Sequence, residues 1–126
     1  MQTREQIFAQ GVYELVVRRN SRDEEAKKKY VALAHKLPVL IRTAGLAQAL
    51  AFAATRENDQ RALFVDLATV LGYQDEETLL ADSRQFDLPA YMRLTHEALH
   101  ALLWFKRYAQ SVLEVAAVRK EPRTKN

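Results

Sequence analysis

A chain of 126 residues, 48% apolar and 28% charged, has the size and balance of one folded domain. Three Gly, three Pro and no Cys exclude disulfides, thiolate chemistry, Cys-type zinc sites and a turn-rich all-β fold. A net charge of +3 admits a polyanionic partner without requiring one; with no apolar run near the ~20 residues that span a bilayer and no apolar N-terminal block, a cytoplasmic protein without a membrane partner is expected.

The first predicted helix runs from Arg4 to Arg19. Thr3 and Gln6 have capping-box spacing, and Ile7, Val12, Leu15 and Val16 are its expected buried stripe. Asn20-Ser21 ends it. A second helix follows at once, with Ser21 and Glu24 again at capping-box spacing and Asp23, Glu24 and Glu25 where the helix dipole favours acids. Its apolar positions are Tyr30, Leu33, Ala34 and Leu37. Pro38 lacks an N–H and disfavours helical geometry at Leu37, which predicts a kink or short break. Helix resumes through Val39, Leu40 and Ile41, and then from Ala44 to Ala54. Asn58 or Asp59 is placed to cap a segment from Gln60 to Leu71, stopped by Gly72. Asp75 caps a short helix through Leu80. Asp87-Leu88-Pro89 opens a final helix reaching about Val118, roughly 45 Å long at ~1.5 Å per residue. Its apolar seam is Tyr91, Thr95, Ala98, Leu102, Phe105, Ala109, Val112 and Ala116, broadened by Met92, Leu99, Leu103 and Leu113. The expected fold is all-α: a single-domain bundle of about five to six helices over residues 1–118, with a long C-terminal helix and a basic, disordered tail at 119–126.

His96-Glu97-Ala98-Leu99-His100 fits the H-E-x-x-H zinc pattern, in which two imidazoles one turn apart meet a metal and the glutamate activates water. Such a site needs a third ligand. The G-x-x-H extension is absent, Glu114 is too close along the same helix, and two surface histidines are the plainer account. There is no Gly-rich phosphate loop, and Ser21, Ser83 and Ser111 sit in no nucleophile motif. The chain is expected not to be an enzyme and to hold no metal or other cofactor.

The cations are more informative. Lys28, Lys29, His35 and Lys36 fall on one side of the second helix, away from its apolar positions. Arg18, Arg19 and Arg22 precede them and Arg42 lies beyond Pro38. Arg93, His96, His100, Trp104 and Arg107 form a second stripe on the last helix. Cations interleaved with an aromatic suit single-stranded nucleic acid, phosphates meeting charges and bases stacking on rings. A solvated lysine face is as ordinary an explanation, and Trp104 is more readily explained by burial.

Two stretches carry a family resemblance. Lys36-Leu37-Pro38-Val39-Leu40-Ile41, then Gly45-Leu46 and a small-residue helix ending in Ala51-Phe52, lie within 28–52. The second is Leu94-Thr95-His96-Glu97-Ala98-Leu99 leading to Trp104-Phe105-Lys106-Arg107. In order and length this resembles the small subunit of type III-B CRISPR effector complexes, the Cmr family. Ala44 stands where Asn is expected, and His96 where a basic residue is common. The resemblance implies a non-catalytic helical subunit whose copies line the groove of a ribonucleoprotein, with RNA cleavage left to the backbone subunit. Its implied partners are guide RNA, target RNA, the backbone and large subunits, and copies of itself. It implies RNA contact mainly through basic side chains, and the two cationic stripes above supply the candidates Arg18, Arg19, Lys28, Lys29, Lys36, Arg42, Arg93 and Arg107. The guide supplies sequence by pairing, so such contacts are electrostatic. The alternatives are a helical protein-interaction module without RNA binding, and a zinc hydrolase using His96, Glu97 and His100.

Overall fold

The first helix begins on the expected capping box. The Thr3 hydroxyl accepts from the Gln6 amide at 3.1 Å, and the Thr3 amide donates to Gln6 Oε1 at 2.8 Å. The computed structural model describes residues 1–113 of the chain. Within them α1 spans Arg4–Arg18, α2 Glu24–Ala44, α3 Leu46–Ala54, α4 Asn58–Val70, α5 Glu76–Gln85 and α6 Leu88–Tyr108, followed by a π-helical segment over Ala109–Leu113. No strand occurs among the described residues. The all-α bundle with a long last helix is therefore the fold; the helix end near Val118 and the tail at 119–126 lie outside the described residues.

The helix starts follow local chemistry. On α2 the cap is Asp23, not Ser21: its carboxylate accepts from the Ala26 amide at 3.1 Å, while the Ser21 hydroxyl accepts from the Asp23 amide. On α4 neither Asn58 nor Asp59 caps. The helix begins at Asn58 itself, whose φ is +46°, after an extended Glu57. Asp75 and Asp87 cap α5 and α6 as expected, accepting from the Thr78 and Ala90 amides. The α5 helix continues five residues past the expected end at Leu80, to Gln85. Two side chains support the extra turn: Ser83 is buried and donates to the Leu80 carbonyl, and Asp82 accepts from the Tyr73 hydroxyl at 2.6 Å.

Pro38 does not break α2. The helix passes through it and stops at Gly45, whose φ of +93° and ψ of 159° suit only glycine. Gly45 has no side chain to cap α3, and the Tyr91 hydroxyl takes that role by accepting from the Ala47 amide at 3.1 Å. This single bond ties α6 to the start of α3.

At the centre is α2, packed against α3, α4, α6 and the π-helical segment. Its Tyr30, Leu33, Ala34, Leu37, Pro38 and Ile41 are buried. From α1 only Val12 and Val16 are fully buried; Leu15 is half-buried and Ile7 is 57% exposed. Ile7 lies five positions from Val12, about 140° round the helix, so one packed face cannot hold both. On α6 the seam is centred on Leu94, Ala98, Ala101, Leu102 and Phe105. Met92 and Leu103, expected to broaden it, are 49% and 42% exposed.

Candidate nucleic-acid interface

The outward half of α2 carries four of the cations named from the sequence. Lys28, Lys29, Lys36 and Arg42 are all exposed, and none makes an ion pair with a described carboxylate. Lys27, one position earlier, is half-buried and pairs with Glu24 at 2.9 Å. These four cations were expected on one side of α2, but they form two edges. A helix turns ~100° per residue, so Arg42 and Lys28 stand about 120° and 80° from Lys36. Lys29 and Lys36 face α3: Lys36 Nζ lies 4.9 Å from the Phe52 ring centre, and Lys29 lines a cleft with Thr55, Arg56, Glu57 and Gln60. Lys28 borders the other side, in a pocket with Val31, Ala32, His35 and Leu113.

Arg19 is engaged otherwise. Its Nε and Nη2 donate to the two oxygens of Asp66 at 2.8 and 2.7 Å, and the Tyr30 hydroxyl donates to the same carboxylate at 2.6 Å. Asp66 is 3% exposed, so this pair of bonds from a planar fork to a buried carboxylate joins α1, α2 and α4. The hydrogen bond to Asp66 holds the Arg19 guanidinium above its usual pKa, and burial opposes it. Burial, then the Asp66 charge, pushes the Tyr30 phenol far above its usual value. Arg18 beside it is exposed.

On α6, Arg93 and Arg107 are exposed. The Arg107 guanidinium lies 5.6 Å from the Trp104 ring centre. Trp104 itself is half-buried, stacked on Tyr108 at 5.6 Å with 23° between the planes, and Tyr13 of α1 meets Tyr108 edge-on. Trp104 thus packs partly against the core, with its stacking partner on its own helix and the neighbouring α1 ring on Tyr108. The H-E-x-x-H residues turn towards α1. Glu97 pairs with Arg4, His100 packs edge-on against Phe8 with Glu5 at 3.9 Å, and His96 is exposed. No cluster of three His, Asp or Glu able to hold a metal exists among the described residues. None of the described helices is long and apolar enough to cross a membrane.

Two residues of the cationic face escaped sequence reasoning. Arg56 and Phe52 sit at the end of α3, where the helix is too short to show a charged stripe. Asp66 had a readable signal, a lone acid between Val65 and Leu67 inside an apolar run.

Residues 4–112 match the profile of the family described as CRISPR-associated protein (Cas_Cmr5). The chain belongs to the Cmr5 family. A relative from Thermus thermophilus, named CRISPR system Cmr subunit Cmr5, is 48% identical over 115 residues, covering 90% of this chain and 99% of its own. The X-ray structure of a CRISPR-associated Cmr5 family protein from the same organism superposes with a TM-score of 0.85. It is 46% identical and covers 90% of this chain and all of that one. The Cmr5 assignment thus covers α1 to α6 and the face described above.

Proposed function

We propose that this Cmr5-family chain is a non-catalytic subunit of a type III-B CRISPR ribonucleoprotein and lines its guide–target RNA groove. Membership of the family supports the assembly. The observation that carries the RNA role is the set Lys28, Lys29, Lys36 and Arg42, exposed on one helix with no described carboxylate to neutralise them. Cations left unpaired on a rigid helix are available to phosphates and make no demand on base identity. The contacts with backbone and large subunits fall to other surfaces. The exposed apolar side chains Leu88, Met92 and Leu103 of α6 support a protein-facing role for that helix. Arg18, Arg93 and Arg107 remain secondary RNA candidates, and Arg19 serves the fold first.

The test replaces Lys28, Lys36 and Arg42 together by Ala and measures target-RNA affinity of the assembled particle at two salt concentrations. Affinity should fall equally for every target sequence, and the salt slope should drop by about 0.7 for each phosphate of single-stranded RNA that is no longer neutralised. Unchanged affinity and slope, with the subunit incorporated, would remove this face from the RNA path.

A further inference from the structure

We infer that Phe52 is a brace holding Lys36 and Arg56 in place for the phosphates of an RNA strand, with Arg56 a direct contact and Phe52 a positioning residue. This rests on the reading that the α2 face meets RNA, and extends that face onto α3.

The Phe52 ring carries two cations. Lys36 Nζ is 4.9 Å from its centre and Arg56 Cζ 4.5 Å; the other cation–ring distances among the described residues run from 5.6 to 5.8 Å. The two cations come from separate elements, Lys36 from α2 and Arg56 from the turn after α3, and only the ring joins them. Arg56 is held from a second side. Its Nε and Nη2 donate to the Thr55 hydroxyl at 3.3 and 3.1 Å, and that hydroxyl donates to the Phe52 carbonyl at 2.7 Å. Arg56 Nη1 makes no hydrogen bond with a described residue, and neither Lys36 nor Arg56 pairs with a described carboxylate. Lys29 adds a third cation across an open cleft of about 300 Å³, whose rim holds one acid, Glu57.

Long cationic side chains lose much rotamer freedom when a ligand pins them. A ring that already pins them removes part of that loss before the ligand arrives. The arrangement suits phosphate better than a base, because a base stacking on Phe52 would have to displace the cations over the ring. A run of three cations along one edge suits a polyanion, because charge meets the backbone phosphates whatever the base.

The experiment uses the assembled particle containing full-length subunit, with target RNA of two unrelated sequences at two salt concentrations. Arg56→Gln removes a half-buried guanidinium but keeps a polar side chain, and should lower affinity about threefold and the salt slope by about 0.7. Phe52→Leu keeps an apolar side chain and should lower affinity similarly, with the melting temperature of the isolated subunit little changed. Phe52→Tyr keeps the ring and should bind as the parent. The Phe52→Leu/Arg56→Gln pair should lose less than the two single losses combined. If Phe52→Leu and Arg56→Gln bind as the parent while Lys28→Ala/Arg42→Ala weakens, the brace is wrong and the RNA face stands. If all of them bind as the parent, the RNA face falls as well. If Arg56→Gln reduces incorporation without altering RNA affinity, the cations meet an acidic protein surface and the proposal is overturned.

Discussion

Arg19 and Lys36 look alike in the sequence, each an arginine or lysine near the start or middle of the first helical pair. The fold gives them opposite tasks. Arg19 is fixed in a two-bond pair with buried Asp66, whereas Lys36 lies over Phe52 at the surface. No pattern of spacing separates the two, because the separation depends on Asp66, which lies 47 positions away on α4. The eight cations named from sequence therefore divide into one that locks the helices and seven that reach solvent. The lock has a measurable consequence. Arg19→Met leaves Asp66 buried with Tyr30 as its single remaining side-chain donor, and stranding one member of a buried charge pair costs about 3 kcal/mol. Arg19 is itself partly solvated, which lowers the expected loss to about 2 kcal/mol. Chemical denaturation should show that loss, whereas Lys36→Met should leave the unfolding midpoint nearly unchanged. Equal effects from both variants would deny Arg19 its locking role.

At the scale of elements, what was legible was what local chemistry decides. The Thr3–Gln6 box, the Asp75 and Asp87 caps and the Gly72 stop all depend on residues within a turn of one another. What was not legible depends on contacts between helices. The extra turn of α5 rests on Tyr73 and on the burial of Ser83, and the start of α3 on Tyr91, 44 positions from the amide it caps. Pro38 shows the same division. Its missing N–H and its ring argue for interruption, yet α2 continues because the residues on both sides, Leu37 and Ile41, are buried in one core. Pro38→Ala should restore the intrahelical bond to the Ala34 carbonyl. The helix-interior penalty of proline is ~3 kcal/mol, and the buried ring carbons removed are worth roughly 1.5 kcal/mol, so a net gain of about 1.5 kcal/mol is expected. A rise in the unfolding midpoint checks it. A fall would mean that the packing of the ring outweighs the bond.

At the scale of the whole molecule, the charge is modest and its distribution decides what the surface can do. A net charge of +3 over 126 residues gives no strong long-range attraction. Lys29, Lys36 and Arg56 line the edge between α2 and α3 and Lys28 and Arg42 the opposite edge of α2, while Arg18 lies at the end of α1 and Arg93 and Arg107 on α6. If both edges meet RNA as proposed, one copy offers a strand five cations. If each replaces one counterion, the salt slope of a single copy cannot exceed about 3.5 in magnitude on single-stranded RNA. Affinity limited in that way is weak at physiological salt, and it becomes useful only when copies stand side by side and their contacts act as one site. The free chain should thus bind a single-stranded RNA of about thirty nucleotides weakly, with a slope at or below that limit and no preference for sequence. The particle should show a steeper slope, growing with the number of copies it holds. Fluorescence anisotropy over a salt series on both samples makes the comparison. A free-chain slope well above the limit would mean that the cations of α1 and α6 also meet RNA. A particle no steeper than the free chain would mean that the copies do not share one strand.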